Sequence, residues 1–178
     1  MNINDYHSLM KARQSCRNFD FSKTPQKDDL VKILEIAKLS PSACNSQPYA
    51  VYITTGDIAK EIQNTKVAGF NAFIDECNTF FIITEATYTL PSKIGSVMRN
   101  VDFRAVDIGI FTANIVNAAK IIGIETCILG MFNEKKIKKI IGTSHRIKLV
   151  IALGYPSAEY KTEEKKRKPF DTHIHVLT

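Results

Sequence analysis

"DFRAVDIGIFTANIVNAAKIIGIETCILG" (102–130) decides how the rest of the chain is read. Apolar residues cover nearly all sides of a helical pattern over 102–124, which predicts a helix buried in the centre of a fold. Gly123 suits its C-terminal cap, and "TCILG" (126–130) reads as a short strand. No apolar run in the chain reaches the roughly 20 residues that a membrane helix needs, and the start, "MNINDYHSLMKARQ", has no apolar signal core. A soluble, cytoplasmic protein is therefore expected.

Working outward, "YAVYITT" (49–55) and "TFFIIT" (79–84) are β-branched and aromatic and read as strands, as does "RIKLVIALGYP" (146–156), ended by Gly154 and Pro156. In "TPQKDDLVKILEIAKLS" (24–40), Leu30, Ile33, Leu34 and Ala37 fall on one helical face, with Pro25, Asp28 and Asp29 at its start. "YHSLMKARQS" (6–15) and 57–75 read as further helices, the latter with a break near Gly69. "NEKKIKKIIG" (133–142) is a helix between an Asn133 N-cap and a Gly142 stop. No element is assigned to 85–100, and the tail from Ala158 is polar and basic. Helices and strands alternate with helices predominant. That predicts one domain over 1–178, α+β or α/β, with one mixed sheet covered by helices.

The 178 residues are 44% apolar and 24% charged, the ordinary globular range. Cys16, Cys44, Cys77 and Cys127 form no C-x-x-C pair and no zinc spacing, so free thiols are expected, most of them buried. The net charge of +6 concentrates in "EKKIKKIIGTSHRIK" (134–148) and "KTEEKKRKPF" (161–170). Neither run interleaves aromatics with its cations, which speaks against nucleic acid; a solvated face or an anionic small ligand remains. Dinucleotide, P-loop and nucleophile-elbow motifs are absent. His173 and His175 are a weak metal pair, and no metal is expected.

Four short motifs have chemical content. In "ARQSCRNFD", Arg13 and Arg17 flank Ser15 at a spacing that shares one face at a helix end; they suit an oxyanion, or ordinary ion pairs. "PSACNSQPY" (41–49) offers Ser42 and the carboxamides of Asn45 and Gln47, which suit the edge of a planar heterocycle, or a well-capped turn. In "TCILGMFN", Gly130 lets backbone approach a ligand closely, or simply turns the chain. Lys165 and Arg167 in "EEKKRKPFD" would complete a cationic clamp around a phosphate, or belong to a disordered tail.

In this order, "R-x-S-x-R-x-F", "PSxxNxQPY" before a strand, the apolar helix running into "ETCILGMFN", "IALGYP" and "KKRKP", the chain resembles the FMN-dependent nitroreductase family over about residues 8–170, in particular its short members. The resemblance implies an α+β sandwich, a nitroreductase-like α/β sandwich with a mixed, mainly antiparallel sheet covered by helices. It also implies an intertwined homodimer with FMN at the interface. Carried over by motif, Arg13, Gln14, Ser15 and Arg17 would hold the ribityl phosphate and the pyrimidine side of the flavin. Lys165 and Arg167 would complete the phosphate site. Pro41, Ser42, Asn45 and Gln47 would reach the flavin from the partner chain. Gly130 and Met131 would lie near its reactive edge, and Asn71 is a further candidate. The implied activity is NAD(P)H-dependent reduction of nitroaromatics, quinones or related acceptors by ping-pong hydride transfer through flavin N5, with NADH or NADPH as donor. The chain then needs no catalytic acid–base dyad, because the flavin carries the chemistry. Relatives that dehalogenate or cleave flavin, or a non-catalytic FMN-binding or sensing protein, are the alternative readings.

Overall fold

The structure, a computed structural model, describes residues 2–67 and 70–177. Its centre is a four-stranded sheet of β1 (Tyr49–Thr55), β2 (Thr79–Glu85), β3 (Glu125–Leu129) and β4 (Ile147–Gly154), ordered β1-β2-β4-β3. All three ladders are antiparallel, and the only parallel pairing described is the isolated bridge between Ser15 and Thr126. The sheet is thus mainly antiparallel as expected, with all four strands antiparallel and the parallel element confined to that bridge. β2 lies inside the sheet and is buried along almost its whole length, which is why its sequence is apolar without alternation.

Side chains of successive strand residues point to opposite faces, so β2 and β4 each serve two cores. Phe80, Ile82, Val150 and Ala152 join a cluster with α3 (Gly56–Gln63) and α6 (Glu134–Ile141), through Ala59, Ile62 and Ile137. Phe81, Ile83, Ile151 and Leu153 pack on the other face against α2 (Lys27–Ala37) and α5 (Phe103–Ile121), through Leu30, Ile33, Ile108, Phe111 and Ile115. The result is a helix–sheet–helix sandwich in the α+β class.

Several helix ends are legible chemically. α1 (Ile3–Ala12) starts in a reciprocal capping box between Asn2 and Asp5. Asn133 accepts the Lys136 N–H at the start of α6, and Gly142 ends it in the left-handed region, at φ +66°. The expected helix over 57–75 is two pieces: α3 stops at Gln63, where the Thr65 hydroxyl bonds the Ile62 carbonyl, and a single 3-10 turn spans Ala72–Glu76. The break expected at Gly69 lies outside the described residues. The unassigned segment holds a helix, α4 (Leu90–Arg99), between Thr89 and a left-handed Asn100.

α5 is not buried on all sides. Ile108, Phe111, Ile115 and Ala119 face the sheet, but Val106, Gly109, Ile110 and Ala113 on the opposite side are exposed in the single chain. The apolar pattern is satisfied on one face only, because one sheet covers one side of a helix. α4 likewise exposes Leu90, Ile94, Val97 and Met98. Among the described residues no helix is long and apolar enough to cross a membrane. Cys16, Cys77 and Cys127 are buried and Cys44 is exposed, all as free thiols.

Candidate functional site

The first arginine motif does not sit on a helix. α1 ends at Ala12, Arg13 is already extended, and Ser15 bridges to Thr126 at the start of β3. Extended chain repeats every two residues, so Arg13, Ser15 and Arg17 share a side by strand periodicity, while Cys16 between them is fully buried. All three act on one buried atom: burial pushes the Cys127 thiol up, and Arg17, the Ser15 hydroxyl and Arg13 pull it back.

The C-terminal segment returns to this place. The Gln14 carboxamide donates to the Glu163 carbonyl (2.5 Å) and accepts the Glu163 N–H (3.0 Å), a two-point latch between residues 149 apart. Lys165 Nζ donates to the Met10 carbonyl at the end of α1. Arg13, Gln14, Ser15, Lys165 and Arg167 thereby line one cavity of ≈ 350 Å³, together with Glu163, Glu164 and Lys166. Of the two readings of the basic tail, a clamp or a disordered segment, the latched arrangement goes with the first. Gln14 reaches the site as the latch rather than as a free carboxamide; a sequence carries no signal for such a pairing.

Among the described residues, none of Arg13, Arg17, Lys165 and Arg167 forms an ion pair with a carboxylate. Burial, with Arg13 and Arg167 nearby, holds the Lys165 ammonium below the usual lysine range. Converging unpaired cations are unfavourable unless an anion joins them.

At the far end of β3 lie Gly130 and Met131. Thr126 to Gly130 spans about 13 Å at about 3.3 Å per residue. A Cβ added at Gly130 would meet nothing within 4 Å, and its φ is not left-handed, so neither packing nor backbone of this chain requires glycine there. Asn71, in the left-handed region at φ +59°, donates from Nδ2 to the Met131 carbonyl at 2.7 Å. The structure thus brings Asn71 to Gly130 and Met131 across 60 residues of sequence.

Pro41, Ser42, Asn45 and Gln47 form a second surface. Their loop leads into β1, which is the sheet edge opposite β3. Three inter-strand spacings of roughly 4.8 Å separate the two edges, about 14 Å. No hydrogen bond joins the two groups among the described residues. The loop is tightly organised. Gln47 N–H donates to Ser42 Oγ (3.0 Å), and Gln47 Nε2 donates to Asn45 O and Oδ1 (3.1 Å each). Among the described residues, three of the five non-glycine positions with positive φ are here, Cys44 (+50°), Asn45 (+51°) and Gln47 (+44°). Pro48 denies Gln47 the right-handed helical region, and such conformations cost roughly 1–3 kcal/mol each unless surroundings impose them.

An antiparallel sheet sandwiched by helices, with a cationic cleft at one end of an edge strand and a glycine at the other, defines the α+β sandwich class. The chain belongs to the Nitroreductase family, whose family model matches residues 10–155. It is therefore an oxidoreductase. The oxygen-insensitive NADPH nitroreductase of Helicobacter pylori is 24% identical over 192 residues, covering 90% of this chain and 91% of that one. Among solved structures, the nitroreductase family protein of Streptococcus pneumoniae has a TM-score of 0.82 at 20% identity, covering 97% of this chain and 100% of that one. A protein from Exiguobacterium sibiricum, solved in complex with FMN, has a TM-score of 0.78 at 18% identity and covers 99% of both chains. Among the described residues no group of three or more His, Cys, Asp or Glu is arranged to hold a metal ion.

Proposed function

We propose that the chain is a cytoplasmic, FMN-dependent NAD(P)H oxidoreductase that reduces nitroaromatics, quinones or related acceptors as a homodimer. The observation that carries this reading is the set of cations, Arg13, Lys165 and Arg167, that have no carboxylate partner among the described residues and converge on a cavity of ≈ 350 Å³. The donor set fits a phosphorylated, ring-bearing cofactor: cations for a phosphate at one end of β3, and an uncrowded glycine for a flat ring at the other. The NADPH nitroreductase of Helicobacter pylori and the FMN-bound Exiguobacterium protein support the same cofactor and donor.

Bound there, FMN would supply the two-electron chemistry that the chain's own side chains lack, taking reducing equivalents from NADH or NADPH and passing them to the acceptor. The chain's work is binding, orientation and electrostatics. Arg13, Lys165 and Arg167 would hold the phosphate through charge-assisted bonds. Gln14 keeps Lys165 and Arg167 in place through its latch on Glu163. Ser15 and Arg17 continue along the same extended edge, and Arg17 would offer a positive charge to the pyrimidine side. Gly130, Met131 and Asn71 would lie at the ring edge.

Pro41, Ser42, Asn45 and Gln47 lie too far across the sheet to complete this site from the same chain, so a second copy supplies them. The exposed apolar side of α5, with Val106, Gly109, Ile110 and Ala113, is the surface that a second copy would cover.

The test is a visible absorbance spectrum of the purified protein with FMN, before and after NADH or NADPH under anaerobic conditions. Flavin absorbance that bleaches with donor and returns with a nitroaromatic or quinone is the expected result. Lys165→Ala with Arg167→Ala should raise the FMN Kd tenfold or more, since charge-assisted bonds are lost. A protein that takes up no added FMN overturns the reading. Uptake without donor-driven turnover leaves a binding or sensing protein instead.

A further inference from the structure

We infer that Asp107 and Ser92 are a pair of positioning residues that hold the 41–48 loop in its ligand-facing conformation by clamping both sides of Ala43. This rests on the flavin reading for the ligand, but the clamp itself is geometric. Asp107 is on α5, 64 residues from the loop, and its Oδ1 accepts the Ala43 N–H at 3.0 Å. Ser92 is on α4, and its Oγ donates to the Ala43 carbonyl at 2.7 Å. Both side chains are buried, Asp107 at 2% exposure and Ser92 at 0%. Thr89 reinforces the clamp: its Oγ1 bonds Ser92 Oγ (2.9 Å), and its N–H donates to Ser46 Oγ (3.0 Å). The residues fixed in this way flank the left-handed pair Cys44 and Asn45.

Stability alone does not account for Asp107. Its Oδ2 has no hydrogen-bond partner among the described residues, and the buried hydroxyls of Tyr49 and Tyr88 likewise have none there. Both phenols are pushed up by burial and then by the Asp107 charge. A buried carboxyl with one oxygen unpaired is costly, and an apolar side chain of similar size would pack without that cost. The contact that Asp107 does make is the one to Ala43. That bond, set against an unfavourable burial, is the mark of a residue retained to impose a conformation rather than to stabilise a core. The consequence is that the Asn45 and Gln47 carboxamides are pre-organised before any ligand arrives, which lowers the ordering cost of binding.

The experiment compares Asp107→Leu, Asp107→Asn and Ser92→Ala in the full chain. The two readouts are amide hydrogen exchange at residues 43–47 and FMN affinity by fluorescence quenching. Asp107→Leu should speed exchange at 43–47 at least tenfold and raise the FMN Kd about tenfold to a hundredfold, the range for losing a bond to a charged group. Asp107→Asn keeps an oxygen for the Ala43 N–H and removes a buried carboxylate charge. It should restore slow exchange and bring the Kd to within about threefold of the parent, with an unfolding temperature at or above it. Unchanged exchange and affinity in Asp107→Leu overturn the inference, and so does an Asp107→Asn as impaired as Asp107→Leu. If Asp107→Leu does not fold, Ser92→Ala decides: faster exchange at 43–47 upholds the clamp, and unchanged exchange overturns it. If the parent protein takes up no FMN while Asp107→Leu still frees the loop, the clamp stands and the flavin reading falls.

Discussion

Lys165 carries its charge against its surroundings: burial, Arg13 and Arg167 all hold its pKa below the ordinary lysine value. The sign of the pH effect follows. A phosphate in the cavity favours the protonated ammonium, so FMN binding is strongest while Lys165 is charged. Affinity should fall as pH rises from neutral into the range just below the ordinary lysine pKa of about 10.4. Lys165→Arg, which stays charged, should flatten that fall in a titration of Kd between pH 7 and pH 10. At the other surface, Asn45→Ala or Gln47→Ala should weaken FMN retention several-fold while thermal unfolding changes by only a few degrees, because among the described residues both side chains bond only within their own loop. Intact flavin affinity in both variants would reduce this loop to a turn. The Arg13-Ser15-Arg17 spacing was legible in the sequence as an anion motif, but its geometry was not. The sequence spacing suits a helix end as well as an extended strand, and only the end of α1 at Ala12 selects the strand.

β2, β4 and α5 meet at Glu85. Its carboxylate pairs with Arg104 of α5 (2.6 Å) and Lys148 of β4 (2.7 Å), and Lys148 also reaches Asp102 (3.6 Å). Arg104 lies over the Tyr88 ring at 5.0 Å. Burial pushes the Glu85 carboxyl up, but Lys148 and Arg104 outweigh it and leave it below the usual glutamate value. A depressed carboxylate contributes stability above the unfolded pKa and loses it as pH falls through the folded one. Glu85→Gln should therefore cost about 1 kcal/mol at pH 7, a figure reduced for partial exposure. The difference from the parent should shrink below about pH 4.3, as urea melts at pH 7 and pH 3.5 would record. The helix over 90–99 shows what element reading misses. Thr89 and Pro91 are good start signals, and Leu90, Ile94 and Val97 keep a helical spacing. Gly95 and the serines weaken the local propensity, and the apolar stripe is exposed rather than packed.

For the whole molecule the decisive feature is the apolar side of α5 that one chain leaves open. Scattering should give the mass of two chains. Ile110→Asp, on the exposed side, should give one chain with an unchanged circular-dichroism spectrum and a loss of bound FMN. A variant that stays dimeric and yellow would remove α5 from the interface. The site has the same two-part logic: Arg13 and Lys165 lie at one sheet edge and Asn45 and Gln47 at the other.

The sequence by itself determined the strands over 49–55 and 79–84, the caps at Asn133 and Gly142, and the residue types of the candidate site. These depend on local periodicity, on capping hydrogen bonds and on motif order, which neighbouring residues carry. Tertiary structure alone decided the sheet order, the Gln14–Glu163 latch, the Asn71–Met131 contact and the Asp107–Ala43 clamp. The latch, the contact and the clamp each join residues at least 60 apart in sequence. Such pairings arise when burial of two apolar faces against one sheet brings distant segments together, and nothing in the local chain encodes which segments meet.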